Sequence, residues 1–173
     1  MKNERKGVMN FKGLDITIVG NDMALGDKAP EFTVQNNEFQ LYEGLKETNG
    51  KVRIIASIPS LETGVCDRET RRFNMEATNL NEEIIVMVIS MDLPYTQKRW
   101  CGAAGMERVI TLSDHMFGDF GEKYGCLIKE ARVLRRAAFV IDRMDNIVYT
   151  EYMAEMGLEP TYEDIINAAK AAL

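Results

Sequence analysis

One short segment of the chain places a proline, a threonine and a cysteine at spacings that suit reactive thiol chemistry. The segment runs from Pro59 through Thr63 to Cys66. The apolar run Val52–Ile58 before it predicts a buried strand, and residues 67–80 predict a helix. Cys66 would then lie in the first helical turn, where free backbone N–H groups and the positive end of the helix dipole favour a thiolate. Because the thiolate is the form that attacks, this position indicates a reactive cysteine.

The neighbours of Cys66 each have a possible role. The Thr63 hydroxyl can cap the helix and can also reach the sulfur or a substrate oxygen. Pro59 shapes the loop between strand and helix, and the N–H groups around Cys66 could hold an oxyanion. A fixed cation would complete the site, and sequence spacing does not choose among the candidates, which are Arg68, Arg71, Arg72, Arg99, Arg135 and Arg136. The alternative for Cys66 is a small, buried core residue.

The other two cysteines differ in their surroundings. Cys101 lies near the end of a predicted short helix, followed by Gly102 and small residues that would let the segment open locally. A second thiol can condense with a sulfenic acid to form a disulfide, although Cys101 taken alone also fits a partly buried core residue. Cys126 is followed by an apolar run and is predicted to be a core residue. His115 is predicted to be a surface loop residue.

The motifs that would bind a cofactor or a metal are missing. The sequence contains no Cys-x-x-Cys, which argues against a zinc site and a dithiol oxidoreductase. It also contains no Gly-x-x-x-x-Gly-Lys and no Gly-x-Gly-x-x-Gly, the phosphate-binding and dinucleotide-binding patterns. We therefore expect neither a cofactor nor a metal.

Composition narrows the class of protein. The 173 residues are 46% apolar and 28% charged, which is ordinary for a globular protein, and the net charge of −6 argues against a nucleic-acid partner. No run of about 18 apolar residues predicts a membrane span, and the N-terminus lacks the apolar stretch of a secretory signal. Three cysteines, an odd number, do not suit a disulfide-stapled secreted scaffold. We expect a cytoplasmic location.

Alternation of strands and helices predicts an α/β fold with a mixed central sheet flanked by helices. We expect a single domain over residues 1–173, with an N-terminal β-hairpin or small β-extension over about residues 11–35. A short helix is expected over Leu41–Glu47. The later expected elements, in chain order, are strands at 52–58, 83–90 and 109–112 with helices at 64–80, 95–103 and 117–124, then a hairpin of 137–142 with 147–153, and a closing helix at 161–173.

Several segments together resemble the thiol peroxidase branch of the peroxiredoxins, of the atypical two-cysteine type. The Pro-x-x-x-Thr-x-x-Cys signature of residues 59–66 is specific for peroxiredoxins, and the Leu-Pro-Tyr and Arg-Trp-Cys-Gly segments narrow it to thiol peroxidases. The segments that carry the resemblance are 11–13, 59–66, 71–74, 90–95, 99–102, 109–113 and 136–142. The resemblance implies a thioredoxin-like fold and reduction of hydrogen peroxide and alkyl hydroperoxides.

The resemblance also implies a role for five residues. Cys66 matches the peroxidatic cysteine, and Cys101 matches the resolving cysteine that forms an intrachain disulfide with it. Thr63 matches the threonine that binds thiolate and peroxide, and Arg136 matches the arginine that stabilises both. Pro59 matches the loop proline that shields the thiolate.

The partners that the resemblance implies are a hydroperoxide substrate, thioredoxin as reductant and a second copy in a homodimer formed through the active-site side. Two other classes of protein stay open at this point. One is a disulfide-exchange protein or redox sensor on the same fold, and the other is a structural or metal-binding domain that uses the three cysteines and His115.

Overall fold

The computed structural model describes residues 3–173, so Met1 and Lys2 of the predicted domain 1–173 lie outside the described residues. Strands and helices alternate from the fifth strand to the third helix, and four strands and a closing helix follow. The strands are β1 (Glu4–Lys6), β2 (Thr17–Val19), β3 (Thr33–Gln35), β4 (Leu41–Glu43), β5 (Val52–Ser57), β6 (Ile84–Ser90), β7 (Val109–Ser113), β8 (Leu127–Ile128), β9 (Val133–Leu134), β10 (Ala137–Ile141) and β11 (Ile147–Tyr152). The helices are α1 (Gly64–Thr78), α2 (Pro94–Ala104), α3 (Asp119–Lys123) and α4 (Tyr162–Ala171).

The larger sheet has seven strands in the order β11-β10-β5-β6-β7-β3-β4. Strands β5, β6 and β7 are parallel, and β10 and β11 add antiparallel strands at one side, so the sheet is mixed as predicted. All six residues of β5 are buried. A strand covered on both faces reads as a continuous apolar run, which is why the 52–58 pattern predicted it correctly.

Helices cover the two faces of this sheet with two separate cores. On one face, Ile54, Val88 and Ala138 pack with Cys66 and with apolar residues of α1 and α4; we call this the Cys66 face. On the other, Ile55, Met87 and Phe139 pack with Cys126 and with apolar residues of α3 and the β3 region; we call this the Cys126 face. Successive strand residues alternate between the two faces because side chains in a strand have a period of two.

The N-terminal β-hairpin exists, but it is built differently from the prediction. Strands β1 and β2 pair antiparallel, and β2 continues through β8 and β9 into a separate four-stranded sheet. Strand β3, at the end of the predicted extension, instead joins the edge of the seven-stranded sheet beside β7. The sequence predicts a β-extension in this region, but β1, β8 and β9 are not among the predicted strands, and the partners of these strands depend on distant segments.

The predicted helix over Leu41–Glu47 is wrong. Its first three residues form β4, which pairs antiparallel with β3, and the rest is a turn. The carboxylate of Glu31 accepts the backbone N–H groups of Leu45 and Lys46 at 2.9 and 2.8 Å. Short apolar runs fit a strand or a helix equally well, and here contacts with a distant carboxylate and a neighbouring strand select the non-helical form.

The other predicted elements are present with shifts of a few residues at their ends. The hairpin of β10 and β11 and the closing helix α4 are confirmed, and the architecture is the mixed α/β arrangement that the sequence predicts. Among the described residues 3–173, no helix combines the length and apolar character needed to cross a membrane.

Candidate active site

The site begins where β5 delivers the chain to helix α1. Thr63 is the N-cap residue of this helix, with an extended backbone, and its Oγ1 accepts the Cys66 N–H at 3.3 Å. The same hydroxyl donates to the Ser60 carbonyl at 3.2 Å. Cys66 therefore lies in the first turn of a 15-residue helix, where N–H groups and the helix dipole favour negative charge.

Asp92 holds the loop that precedes the helix. Its two carboxylate oxygens accept Ser60 Oγ at 2.6 Å and the Leu61 N–H at 2.8 Å. Pro59 is buried at the start of this loop and fixes its φ angle, because its ring leaves no rotation there. The end of β6 thus fixes the loop that carries Thr63.

Arg136 supplies the fixed cation beside Cys66. Its Nη2 donates to Cys66 Sγ at 3.2 Å, and both side chains are almost completely buried. Its Nη1 pairs with the carboxylate of Glu69. Its Nη2 and Nε also donate to the Met156 carbonyl at 3.1 and 3.3 Å. The guanidinium is held from three sides, and this fixes its position against the sulfur.

Strand alternation explains why Arg136 reaches this position. The residue directly precedes β10, where Ala138 and Val140 point to the Cys66 face and Ala137 and Phe139 point to the other. Position 136 has the same parity as 138 and 140, so its side chain extends over the end of the sheet toward α1.

Glu69 is a member of this buried cluster that sequence reasoning missed. It lies one helical turn after Cys66 on the same face of α1 and is completely buried. Burial raises the pKa of this carboxyl to about 7, and the positive charge of Arg136 acts in the opposite direction. The three-residue spacing from Cys66 was a usable signal, because residues i and i+3 share a helix face.

The remaining candidate arginines do not reach the sulfur. Four of them form ion pairs at the surface: Arg68 with Glu159, Arg71 with Asp67, Arg72 with Glu76 and Arg99 with Glu62. Arg135 is buried on the Cys126 face, where it pairs with Asp22 and its guanidinium carbon lies 3.9 Å from the ring centroid of Tyr152.

Cys101 is half-buried near the end of α2. Its Sγ lies 3.2 Å from the hydroxyl of Thr111, which projects from β7 on the Cys66 face. It also lines a shallow pocket of about 280 Å³ between α2, β7 and the β3–β4 loop. The thiol is therefore much closer to solvent than Cys66.

The two halves of α2 are anchored unequally. Gln97, in the first half, donates from Nε2 to Ser90 Oγ at 3.0 Å and to the Leu112 carbonyl at 2.8 Å. In the second half, Trp100 Nε1 donates to Asp67 Oδ1 of α1 at 2.9 Å. The half that carries Cys101 has fewer buried polar contacts and ends at Gly105, which adopts a left-handed conformation.

The structure places Cys66 and Cys101 on the same face of the sheet but not within bonding distance. Cys66 contacts Arg136 at the start of β10, and Cys101 contacts β7, with β5 and β6 between those strands. The two contacted strands are three strand spacings apart, roughly 14 Å, so the two thiols lie against different parts of the sheet. All three cysteines are free thiols.

Cys126 lies completely buried on the opposite face, as predicted. Burial raises the pKa of its thiol to about 11. His115 is half-buried and shares a hydrogen bond of 2.8 Å with Gln35 Oε1. Within residues 3–173, no three His, Cys, Asp or Glu side chains come together in a way that could hold a metal ion.

The sequence matches known proteins over most of its length. The model of the Redoxin family matches residues 24–166. A thiol peroxidase of Bacillus subtilis (strain 168) is 50% identical over 163 residues, which is 94% of this chain and 96% of that protein. A thiol peroxidase of Halalkalibacterium halodurans is 50% identical over 165 residues, covering 95% of this chain and 98% of that one.

Solved structures agree with the fold. A peroxiredoxin-like protein from Aquifex aeolicus has a TM-score of 0.87 and 35% identity, covering 99% of each chain. A thiol peroxidase from Chromobacterium violaceum, at 20% identity, has a TM-score of 0.80 over 94% of this chain and 95% of that chain. With half of its residues identical to those of thiol peroxidases along nearly its whole length, the chain belongs to the Redoxin family and, within it, to the thiol peroxidases, which are thiol-dependent peroxidases of the peroxiredoxin type.

Proposed function

We propose that Cys66 is the nucleophile of this peroxidase and that its thiolate attacks the terminal oxygen of a hydroperoxide. The S–O bond forms as the O–O bond breaks. The leaving oxygen takes a proton and departs as water from hydrogen peroxide or as an alcohol from an alkyl hydroperoxide. Cys66 is left as a sulfenic acid, oxidised by two electrons.

The contact of 3.2 Å between Arg136 Nη2 and Cys66 Sγ carries this proposal. A buried guanidinium at the start of a helix stabilises the thiolate before attack and the negative charge on the leaving oxygen during it. The Thr63 hydroxyl lies on the same first turn and binds the peroxide oxygen. Pro59, buried beside the turn, keeps water away from the thiolate.

We propose that Cys101 resolves the sulfenic acid within the same chain. Its thiol attacks Cys66 sulfur, a disulfide forms and the sulfenic oxygen leaves as water. The strand spacing between the two thiols requires a conformational change, which includes release of the second half of α2. Loss of the Trp100–Asp67 hydrogen bond and unwinding toward Gly105 free Cys101 to approach α1.

A dithiol protein then reduces the disulfide by exchange, and we propose thioredoxin for this role. The proposal rests on the resemblance to thiol peroxidases, which use thioredoxin. We also propose a cytoplasmic location, which a thioredoxin reductant and three free cysteines support, because thiols are kept reduced there.

We propose that the enzyme forms a homodimer through the active-site side. Phe39, in the β3–β4 loop at the edge of the sheet, and Tyr95, in α2, are both exposed, and their ring centroids lie 4.6 Å apart. Further exposed apolar side chains are found in β4 and in the segments that follow β6 and β7: Leu41, Leu93, Met116 and Phe117. Exposed apolar surface of this kind is typical of a protein interface. Tyr95→Glu should shift the sedimentation coefficient from dimer to monomer, and wild-type protein that sediments as a monomer would contradict the proposal.

Peroxide turnover with a thioredoxin system, combined with mass analysis of the oxidised protein, tests the catalytic cycle. The oxidised wild type should yield one Cys66–Cys101 peptide pair and no covalent dimer. Cys101→Ser should consume one equivalent of peroxide and stall as the Cys66 sulfenic acid, which further equivalents of peroxide should oxidise to sulfinic acid. A Cys66–Cys126 pair, or a covalent dimer as the main product, would overturn the role of Cys101.

A further inference from the structure

We infer that the N-terminal segment Met9–Ile18 helps to position Arg136 against Cys66, and that it acts through Met156. The inference rests on the role proposed above for Arg136. Its starting point is the backbone carbonyl of Met156, which accepts hydrogen bonds from both Nη2 and Nε of the guanidinium. The guanidinium of Arg136 is held between this carbonyl and the carboxylate of Glu69, so the position of the carbonyl helps to decide where the guanidinium lies.

The segment that carries Met156 is held at its two ends, by the buried Met153 and by the ion pair of Glu159 with Arg68, and little holds its middle. It connects β11 to α4 without regular helix or strand, and the residues around Met156 are exposed: Ala154, Glu155, Gly157 and Leu158. A Cβ at Gly157 would contact no neighbouring atom within 4 Å, so the chain is loosely packed there. The side chain of Met156 is the inward-pointing anchor of this turn.

That anchor lies in a small apolar cluster that the N-terminal segment largely builds. Ile16 and Ile18 are buried in it, and Met9 and Phe11 pack against them together with Met156. A backbone bridge between Asn10 and Glu155 adds a second, independent link between the two segments. The N-terminal segment thus holds both the side chain of Met156 and the backbone next to it.

Arg136 therefore has two opposing partners of different rigidity. Glu69 is fixed in helix α1 and attracts the guanidinium by charge. The Met156 carbonyl is a neutral acceptor on a loop, and it keeps Nη2 turned toward the sulfur. If the loop moves outward, the guanidinium turns toward Glu69, and displacements of about 1 Å in a reacting site can cost up to about 10²-fold in rate.

Two substitutions on different segments test the inference. Met156→Ala and Phe11→Ala should each lower the rate constant of Cys66 oxidation, measured in a single turnover, by about 3- to 10-fold, which is part of what such a displacement can cost. The pH midpoint of Cys66 alkylation should move upward in both. Met156→Leu, which refills the cluster, should restore the wild-type rate. Met144→Ala, at an exposed methionine in the β10–β11 turn, is the control and should change nothing.

A double-mutant cycle separates positioning from general destabilisation. In an Arg136→Gln background, Met156→Ala and Phe11→Ala should cause no further loss of rate, because the group that they position is gone. Equal losses in both backgrounds, or wild-type rates in folded single variants, would overturn the inference. A wild-type rate for Arg136→Gln itself would instead overturn the proposed role of Arg136. Should Met156→Ala not fold, Phe11→Ala provides the same comparison from the other segment.

Discussion

Two adjacent arginines lie near two cysteines on opposite faces of one sheet, and only one of these pairs has the surroundings of a reactive thiol. Arg136 contacts Cys66 on one face, and Arg135 is buried with Cys126 on the other. The charge of Arg135 lowers the pKa of Cys126, but burial outweighs it and raises the pKa to about 11. A neighbouring cation is therefore not sufficient to make a thiol reactive.

The two surroundings differ in the helix end and in what else binds the arginine. Cys66 lies at the start of the 15-residue helix α1, and Cys126 follows the end of the short helix α3. The N-terminal end of a helix favours an anion and the C-terminal end disfavours it. Arg135 also pairs with Asp22 and lies over Tyr152, so Cys126 shares this cation with a carboxylate and an aromatic ring. Position in the fold, rather than residue type, separates the two cysteines.

The largest expected difference between the faces concerns the cysteines themselves. Cys66→Ser should abolish peroxide turnover, because a serine hydroxyl is not ionised at neutral pH. Cys126→Ser should turn over at the wild-type rate, and the loss of the buried thiol should lower only the stability toward urea. More than a few per cent of wild-type turnover in Cys66→Ser, measured with the thioredoxin system, would remove the proposed nucleophile.

Substitutions of Arg136 and of Arg135 should differ by about two orders of magnitude in their effect on the rate constant with peroxide. Arg136→Gln should lower the second-order rate constant with peroxide by roughly 10²-fold, the effect of losing one donor to a developing oxyanion. Arg135→Gln is the matched control: it should keep the rate within about twofold while lowering stability, since it removes a buried guanidinium that pairs with Asp22 and lies over the ring of Tyr152. Stopped-flow oxidation rates and urea unfolding of both variants measure the contrast. Equal rates in the two variants would move the cation role to another residue.

Each face also contains a buried carboxyl whose pKa is raised to about 7, Glu69 on one face and Asp114 on the other. The two groups should have similar effects on stability but different effects on catalysis. Burial is the main cause for both Glu69 and Asp114. Between the ordinary and the raised pKa the folded chain binds protons that the unfolded chain has lost, so stability falls as pH rises toward about 7. Each group contributes on the order of 3 kcal/mol to this fall.

Glu69→Gln and Asp114→Asn should each flatten this decline when urea unfolding is compared at pH 5 and pH 8. Only Glu69→Gln should change the pH profile of Cys66 oxidation. Removing its negative charge favours the thiolate, so the midpoint should move to lower pH, with a rate change of only about threefold. A shifted midpoint in Asp114→Asn would show that the profile reports stability rather than local charge.

The smallest effect is expected for the arginines at the surface. Arg71→Gln removes an exposed ion pair with Asp67 at 2.9 Å, and such pairs contribute at most about 1 kcal/mol. The rate of Cys66 oxidation should stay within about twofold of wild type at low and high salt. A larger loss would show that charge beyond Arg136 acts on the thiolate.

Sequence reasoning reached much of this molecule because the signals were local. The buried strand β5, the N-cap Thr63 and the position of Cys66 in the first turn all follow from neighbouring residues. The apolar run of β6 and the hairpin of β10 and β11 were also readable, since strand patterns and turn residues lie within a few positions of each other.

Contacts between distant segments were out of reach. The sequence offered six arginines as the cation, and only the placement of β10 beside β5 brought Arg136, rather than Arg135, to the sulfur. Contacts between distant segments also decide three other features. They are the strand partner of β3, the Glu31 hydrogen bonds in place of the predicted 41–47 helix, and the position of the Met156 carbonyl beside Arg136. By itself the sequence determined which cysteine starts a helix and which family the chain resembles. The resemblance indicated Arg136, but only the tertiary structure showed which charges meet that cysteine, because side chains 70 positions apart come together only when the sheet has formed.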